Sequence, residues 1–218
     1  PSGGLKMLLK SGDDWEPLLE IAFEDVQTTN VLGFDETNEG IYLLDTRNRN
    51  TAALVHMSLS DQSLTTIAES DQVDVGSVLI DPQTHTPFAY SLDLIKPEWH
   101  AISLEFKDVI AKLNSQLTGG SQVLAQSLNN QFWTVYTDNS DSSPIYKVFD
   151  ANTGELSDLF VTNPALNSQP LAKMHGVIIP SRDGLDLVSY LTLPLESDPD
   201  QDGVPATPVP MVMLVHGG

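Results

Sequence analysis

Short apolar runs separated by turn residues fill the chain from about Trp15 to Phe160, and this pattern predicts β-strands. The clearest runs are residues 31–34, 41–44, 52–59, 123–126, 132–136 and 145–149. Clusters of Asp, Asn, Gly and Ser lie between them, as at residues 35–40 and 138–141, and these residue types favour turns. The pattern therefore predicts a mainly β fold.

A weak internal repeat relates two parts of this region. Residues 41–45 align with residues 133–137, and residues 57–64 align with residues 149–156, both at an offset of 92. That offset equals two units of 46, close to the roughly 40–50 residues of a four-stranded propeller blade. We therefore expect about three four-stranded blades of a β-propeller, the middle one starting near Val75. A sandwich of similar strands remains the alternative.

Residues 103–117 depart from the strand pattern, because their apolar positions 106, 109, 110, 113 and 117 have helical spacing. Ser103 can cap such a helix, and Gly119-Gly120 can end it. The sequence thus predicts a helical insertion in the middle blade.

A polar, Pro-containing connection around residues 163–170 predicts a domain boundary. Strand-like runs follow on both sides of Arg182-Asp183-Gly184, which is a hairpin turn signal. We expect a first domain at residues 1–165 and a second at residues 171–218. A loop rich in Asp, Pro and Gly, residues 196–210, leads to the last apolar run.

The last apolar run, residues 211–215, predicts a short strand buried on both faces of a parallel sheet, and it leads into His216-Gly217-Gly218. A strand that ends in His-Gly-Gly is typical of α/β-hydrolases, where a backbone N–H of this loop stabilises the oxyanion. That chemistry also needs a Gly-x-Ser-x-Gly elbow, which the sequence lacks. The missing elbow and the start without Met favour a fragment.

The amino-acid composition limits the kinds of molecule that the chain can bind. The chain has 10 Lys and Arg against 30 Asp and Glu, a net charge of −20, which argues against nucleic acid and anionic membrane as partners. The absence of Cys excludes disulfides, thiolate metal sites and a Cys nucleophile. We expect a soluble protein, and cytoplasmic, periplasmic and secreted locations all stay open.

Asp198, Asp200, Asp202 and Gly203 match the first half of a calcium-binding loop. Position 12 of that loop is Val209, where a bidentate Glu would be needed, so a solvated loop is the favoured interpretation and a metal site the alternative. No cofactor is expected. Arg47 and Arg49 lie in a turn, where solvated charge is favoured over contact with a substrate carboxylate.

Four segments, taken in order, resemble the prolyl oligopeptidase family of serine peptidases, particularly its acylaminoacyl-peptidase and dipeptidyl-peptidase-like branches. These segments are residues 146–154, 181–185, 190–194 and 210–218. The resemblance implies that residues 1–165 are the C-terminal blades of a propeller that screens access, and that residues 171–218 begin an α/β-hydrolase domain. The acidic, Pro-rich stretch before residue 210 is longer than the family pattern leads us to expect.

The resemblance further implies that the parent protein hydrolyses oligopeptides by acyl transfer to a serine. His216, Gly217 and Gly218 would form the oxyanion-side loop, with a glycine N–H as donor, while the nucleophile, acid and base have no matching positions. This chain alone would then be inactive. A non-catalytic propeller module that binds partners and a propeller-linked esterase are the rival interpretations. Cleavage specificity and oligomeric state stay open.

Overall fold

The computed structural model describes residues 3–215. Within this range fifteen strands form five antiparallel sheets, and none of the helices there is long and apolar enough to cross a membrane. Each sheet is built from strands that follow one another in the chain. The mainly β, propeller-like architecture predicted from the sequence is therefore confirmed.

The strands and the single α-helix of this range have the following bounds. The first sheet is a hairpin of β1 (Leu5–Ser11) and β2 (Asp14–Ile21). Sheet A contains β3 (Asn30–Phe34), β4 (Gly40–Asp45), β5 (Ala53–Ser58) and β6 (Leu64–Ala68). Sheet B contains β7 (Val75–Ile80), β8 (Pro87–Asp93) and β9 (Pro97–Ala101), followed by α1 (Lys107–Asn114). Sheet C contains β10 (Gln122–Gln126), β11 (Phe132–Thr137), β12 (Ile145–Asp150) and β13 (Glu155–Val161), and the last sheet is the hairpin of β14 (Met174–Pro180) and β15 (Asp186–Thr192).

The sheets stack face to face in chain order through three apolar clusters. The first cluster joins β2 to sheet A and includes Ile21 and Leu43. The second joins sheet A to sheet B and includes Leu54 and Val75. The third joins sheet B and α1 to sheet C around Trp133. Alternating side chains on each strand supply these contacts, which is the packing expected of successive propeller blades.

The 46-residue repeat is visible in the backbone. The turns between the first two strands of sheets A, B and C are closed by N–H···O=C bonds from Asp35 to Gly40 (2.9 Å), Asp81 to Thr86 (2.9 Å) and Ser127 to Phe132 (2.8 Å). These donors are spaced 46 residues apart. Ile41 pairs across β4 and β5 with Met57, as Trp133 pairs across β11 and β12 with Phe149. The repeat therefore extends through the middle sheet without added residues.

The sequence predicts that the helix is an insertion in a four-stranded blade. This prediction is wrong, because the 46-residue spacing is constant through sheet B. Sheet B has three strands, and α1 takes the place along the chain that β6 and β13 take in sheets A and C. Ile110 and Leu113 bury the apolar side of α1 in the core. The helix ends at Asn114, before the glycines, and Ser103 makes no capping bond.

The Asn114 side chain replaces part of the missing strand pairing. Its Nδ2 donates to the Trp99 carbonyl at 2.7 Å, and its Oδ1 accepts from the Trp99 N–H at 3.1 Å. An unpaired strand edge would leave these two backbone groups without protein partners. One amide on the helix thus satisfies the edge of β9 at Trp99.

Residues 211–215 differ from their prediction. They form no strand and their side chains are exposed, whereas the sequence predicts a strand buried on both faces. A parallel strand needs neighbours on both edges to satisfy its backbone groups, and within residues 3–215 no strand lies beside this segment.

Candidate functional site

The β14–β15 hairpin contacts the turns that join the second and third strands of sheets B and C. The Tyr190 hydroxyl donates to the Ile95 carbonyl at 3.1 Å, and the Met174 N–H donates to Ser140 Oγ at 2.7 Å. A Cβ added to Gly176 would lie 2.2 Å from Ile95 Cγ2, so glycine is needed for this close approach. These contacts fix the hairpin at one end of the stacked sheets.

Arg47 and Arg49 lie in the corresponding turn of sheet A, and both have carboxylate partners. Arg47 binds Asp45 through Nε and Nη2, each at 2.8 Å, and Arg49 pairs with Glu69. Burial opposes the charge of Asp45, but the Arg47 hydrogen bonds outweigh it and lower the pKa of that carboxyl. This pairing favours a role in holding the turn over contact with a substrate.

The acidic loop is folded around a buried carboxylate rather than solvated throughout. Asp198 is 4% exposed, and its side chain accepts the N–H groups of Asp202 at 3.0 Å and Gly203 at 3.2 Å. The Ala206 N–H donates to the Ser197 carbonyl at 2.8 Å and closes the loop. His175 of β14 lies against it, with its Nε2 atom 3.5 Å from Asp198 Oδ2.

Oxygen atoms of Asp198, Asp200 and Asp202 lie within 4.8 Å of one another, as the calcium-loop alternative requires. Asp200 and Asp202 are exposed, while both oxygens of Asp198 already accept backbone N–H groups. The loop geometry is therefore explained without a metal. Calcium binding stays a prediction that needs a direct test.

His216, Gly217 and Gly218 lie outside the described residues, so their assignment as the oxyanion-side loop stays a prediction. The segment that leads to them is fully open to solvent, with Val212 95% and Leu214 91% exposed. Ile179 and Leu187 of the β14–β15 hairpin are also exposed. Apolar surface of this extent in a soluble protein typically marks a surface that is covered by another part of an assembly.

A carboxylate–histidine pair that sequence reasoning missed lies in sheet A. Asp35 Oδ2 and His56 Nε2 are 2.9 Å apart, and the hydrogen bond to His56 is the main cause that lowers the pKa of Asp35 to about 2. A Cβ at Gly40 would lie 2.1 Å from His56 Nε2, so glycine makes room for the pair. Asp35 also accepts the N–H groups of Thr37 and Glu39. The pair therefore stabilises the β3–β4 turn. The sequence feature that could have indicated it is the placement of Asp35 and Gly40 at the two ends of that turn.

Fold and site together define a class of structure: consecutive propeller blades followed by a hairpin and an apolar segment without a sheet of its own. No family model matches the chain. The chain is 36% identical over 219 aligned positions to dipeptidyl aminopeptidase BIII of Pseudoxanthomonas mexicana, an alignment that covers 100% of this chain and 32% of that protein. The chain thus spans about a third of the length of this relative.

Solved structures share the fold. The dipeptidyl peptidase 4 structure of Porphyromonas gingivalis superposes with a TM-score of 0.63 at 15% identity, over 91% of this chain and 29% of that chain. Prolyl oligopeptidase B of Galerina marginata superposes with a TM-score of 0.57 at 11% identity, over 87% of this chain and 27% of that chain. The resemblance to the prolyl oligopeptidase family that the sequence motifs indicate is confirmed by these similarities.

Proposed function

We propose that the chain is part of a serine peptidase in which propeller blades (residues 1–165) precede the opening of an α/β-hydrolase domain (residues 171–218). The observation that carries this proposal is the similarity along the whole chain to a protein named dipeptidyl aminopeptidase. The irregular connection at residues 162–173, which contains a short 3₁₀ turn at Pro164–Ser168, supports the domain division.

In this proposal residues 211–215 become a strand of the hydrolase sheet once the remaining strands and helices are present. Their exposed apolar side chains support it, because burial in a parallel sheet would remove that surface from water. His216, Gly217 and Gly218 then form the oxyanion-side loop. One backbone N–H of this loop would lower the barrier by roughly 2.7–4 kcal/mol.

The nucleophile, general acid and general base lie elsewhere in the longer polypeptide, so the 218-residue chain alone is inactive. The propeller restricts access to peptides that are small enough to reach the active site. By analogy with the name of its relative, the substrate class is peptides that lose a dipeptide from the N-terminus.

The test compares the 218-residue chain with the longer polypeptide from which it derives. Each is treated with a fluorophosphonate probe and assayed with dipeptidyl anilides, N-terminally blocked peptides and p-nitrophenyl esters. We expect labelling and release of dipeptides for the longer polypeptide and neither for the short chain. Absence of labelling in the longer polypeptide would favour the interpretation as a non-catalytic binding module. Hydrolysis of the esters but not of the peptides would indicate an esterase.

Proline substitutions in the longer polypeptide test the proposed oxyanion donor, because proline has no N–H. We expect either Gly217→Pro or Gly218→Pro to lower kcat by about 10²–10³ with a smaller change in KM. Gly184→Asn, in the β14–β15 turn where a side chain meets no other atom within 4 Å, is the control and should retain activity. Full activity in both proline variants would refute the assignment.

A further inference from the structure

An open cleft runs between the outer edge of β9 and the helix α1. It lies on the side of sheet B where α1 takes the place of a fourth strand. Its volume is about 440 Å³. The residues that define its chemistry are Tyr90, Trp99, His100, Ala101, Ser103 and Lys107. None of its lining residues in the described part of the chain belongs to residues 174–215, so it is distinct from the site described above.

The edge of β9 offers backbone hydrogen bonds to this cleft. Trp99 directs its N–H and C=O away from β8, since both bond to Asn114. The pairing of β9 with β8 has no irregularity, so Ala101, two residues further, directs its N–H and C=O to the same side. No side chain of residues 3–215 bonds these two groups of Ala101 in the way that Asn114 does at Trp99.

Two buried polar atoms beside the cleft also lack partners. Trp99 Nε1 and Ser103 Oγ are buried, and neither has a hydrogen-bond partner among the described residues. Trp99 as a whole is 2% exposed. Buried donors without partners are costly and uncommon in native proteins, and both residues line the cleft.

The charge of the lining differs from that of the chain. Lys107 lines the cleft, and none of its lining residues in the described part of the chain is acidic. The whole chain carries a net charge of −20. A carboxylate placed beside Lys107 would therefore face an opposite charge and no acidic group of the lining.

We propose that this cleft binds an extended peptide segment of another polypeptide, which pairs its backbone with Ala101 and places a carboxylate beside Lys107. Addition of a strand to an open sheet edge is a common mode of peptide recognition, with affinity from the main chain and specificity from the adjoining side chains. This proposal is independent of the peptidase chemistry.

The experiment is a titration of the ¹⁵N-labelled 218-residue chain, followed by amide and indole NMR signals. The probe is the acetylated, amidated peptide Val-Thr-Val-Asp, and its control is the same peptide ending in Asn. We expect the Asp peptide to shift the signals of Ala101, Ser103 and the Trp99 indole, and to bind about tenfold more tightly than the Asn peptide.

Two variants assign the contacts. Lys107→Ala should weaken binding of the Asp peptide about tenfold and abolish its advantage over the Asn peptide, whereas Lys112→Ala, on the same helix but outside the cleft lining, should not. Ala101→Pro removes an outward N–H and should abolish binding. If the Ala101→Pro variant does not fold, the Lys107→Ala result tests the proposal by itself. Equal binding of both peptides, no effect of Lys107→Ala, or no shift at millimolar peptide would each overturn the proposal.

Discussion

Sheet C and residues 211–215 both contain apolar strand-forming residues, yet the burial of their largest apolar side chains differs sharply. In sheet C, Trp133 and Phe149 are fully buried against sheet B and α1. In the later segment Val212 and Leu214 are almost fully exposed, and residues 211–215 form no strand. The difference shows that an apolar run becomes a strand only where other parts of the chain supply its hydrogen bonds and its cover.

The strongest test of this contrast is a pair of truncations. Trp133→Ala should lower the free energy of unfolding by about 3–5 kcal/mol, since it opens a cavity in the core between sheets B and C. Val212→Ala should change it by about 0.5 kcal/mol or less, because the side chain has little contact to lose. Both values come from urea unfolding of the 218-residue chain. Equal costs would show that residues 211–215 are packed in solution.

A smaller effect is expected where the helix replaces a strand. Asn114→Ala should cost about 1–3 kcal/mol, because it leaves the partly buried N–H and C=O of Trp99 without their partner. Hydrogen exchange at the Trp99 amide should become faster. Asn152→Ala, at an exposed position, is the matched control. Unchanged exchange at Trp99 would mean that solvent already satisfies this edge.

The Asp35–His56 pair predicts a dependence of stability on pH. The pKa of Asp35 in the folded protein is about 2, below its ordinary value of 3.8, so its contribution is complete above the ordinary pKa and is lost as the pH falls through about 2. Unfolding of the native chain and of Asp35→Asn, measured at about pH 6, 4 and 2.5, should converge at the lowest pH. For Glu36→Gln, in the same turn, the difference in unfolding free energy from the native chain should change less between these pH values. A constant difference from Asp35→Asn would contradict the assigned pKa.

The smallest effect is expected from calcium. Because both Asp198 oxygens accept backbone N–H groups, calcium at about 5 mM should shift the Tm by less than about 1 °C relative to a chelator. Asp200→Asn should behave like the native chain in this comparison. A rise in Tm that Asp200→Asn removes would establish the metal site.

Strand positions were predictable because their signals are local. The runs at residues 41–44 and 145–149 match β4 and β12 to within one residue at each end. The apolar residues of each strand and the turn residues that flank it are enough to predict its position. The replacement of a strand by α1 was not predictable in this way. It depends on the contact of Asn114 with Trp99, fifteen residues earlier, which no local pattern encodes.

The candidate site was predicted less completely. The acidic residues of the loop at 198–203 were recognised, but the burial of Asp198 against His175 depends on a strand that begins more than twenty residues earlier. The His-Gly-Gly motif was recognised from its type alone and lies outside the described residues. Its assignment as the oxyanion-side loop therefore stays a prediction.

The order of the strands has a consequence for the time course of synthesis. Each sheet in residues 3–215 uses only neighbouring strands of the chain, so every strand pairing closes a short loop, and short-range pairing favours rapid formation. A blade can therefore assemble on the ribosome as soon as its own stretch has emerged, before the next blade is translated. Residues 211–215 have no such neighbouring strand within residues 3–215, so their apolar side chains gain no cover from the blades that form before them.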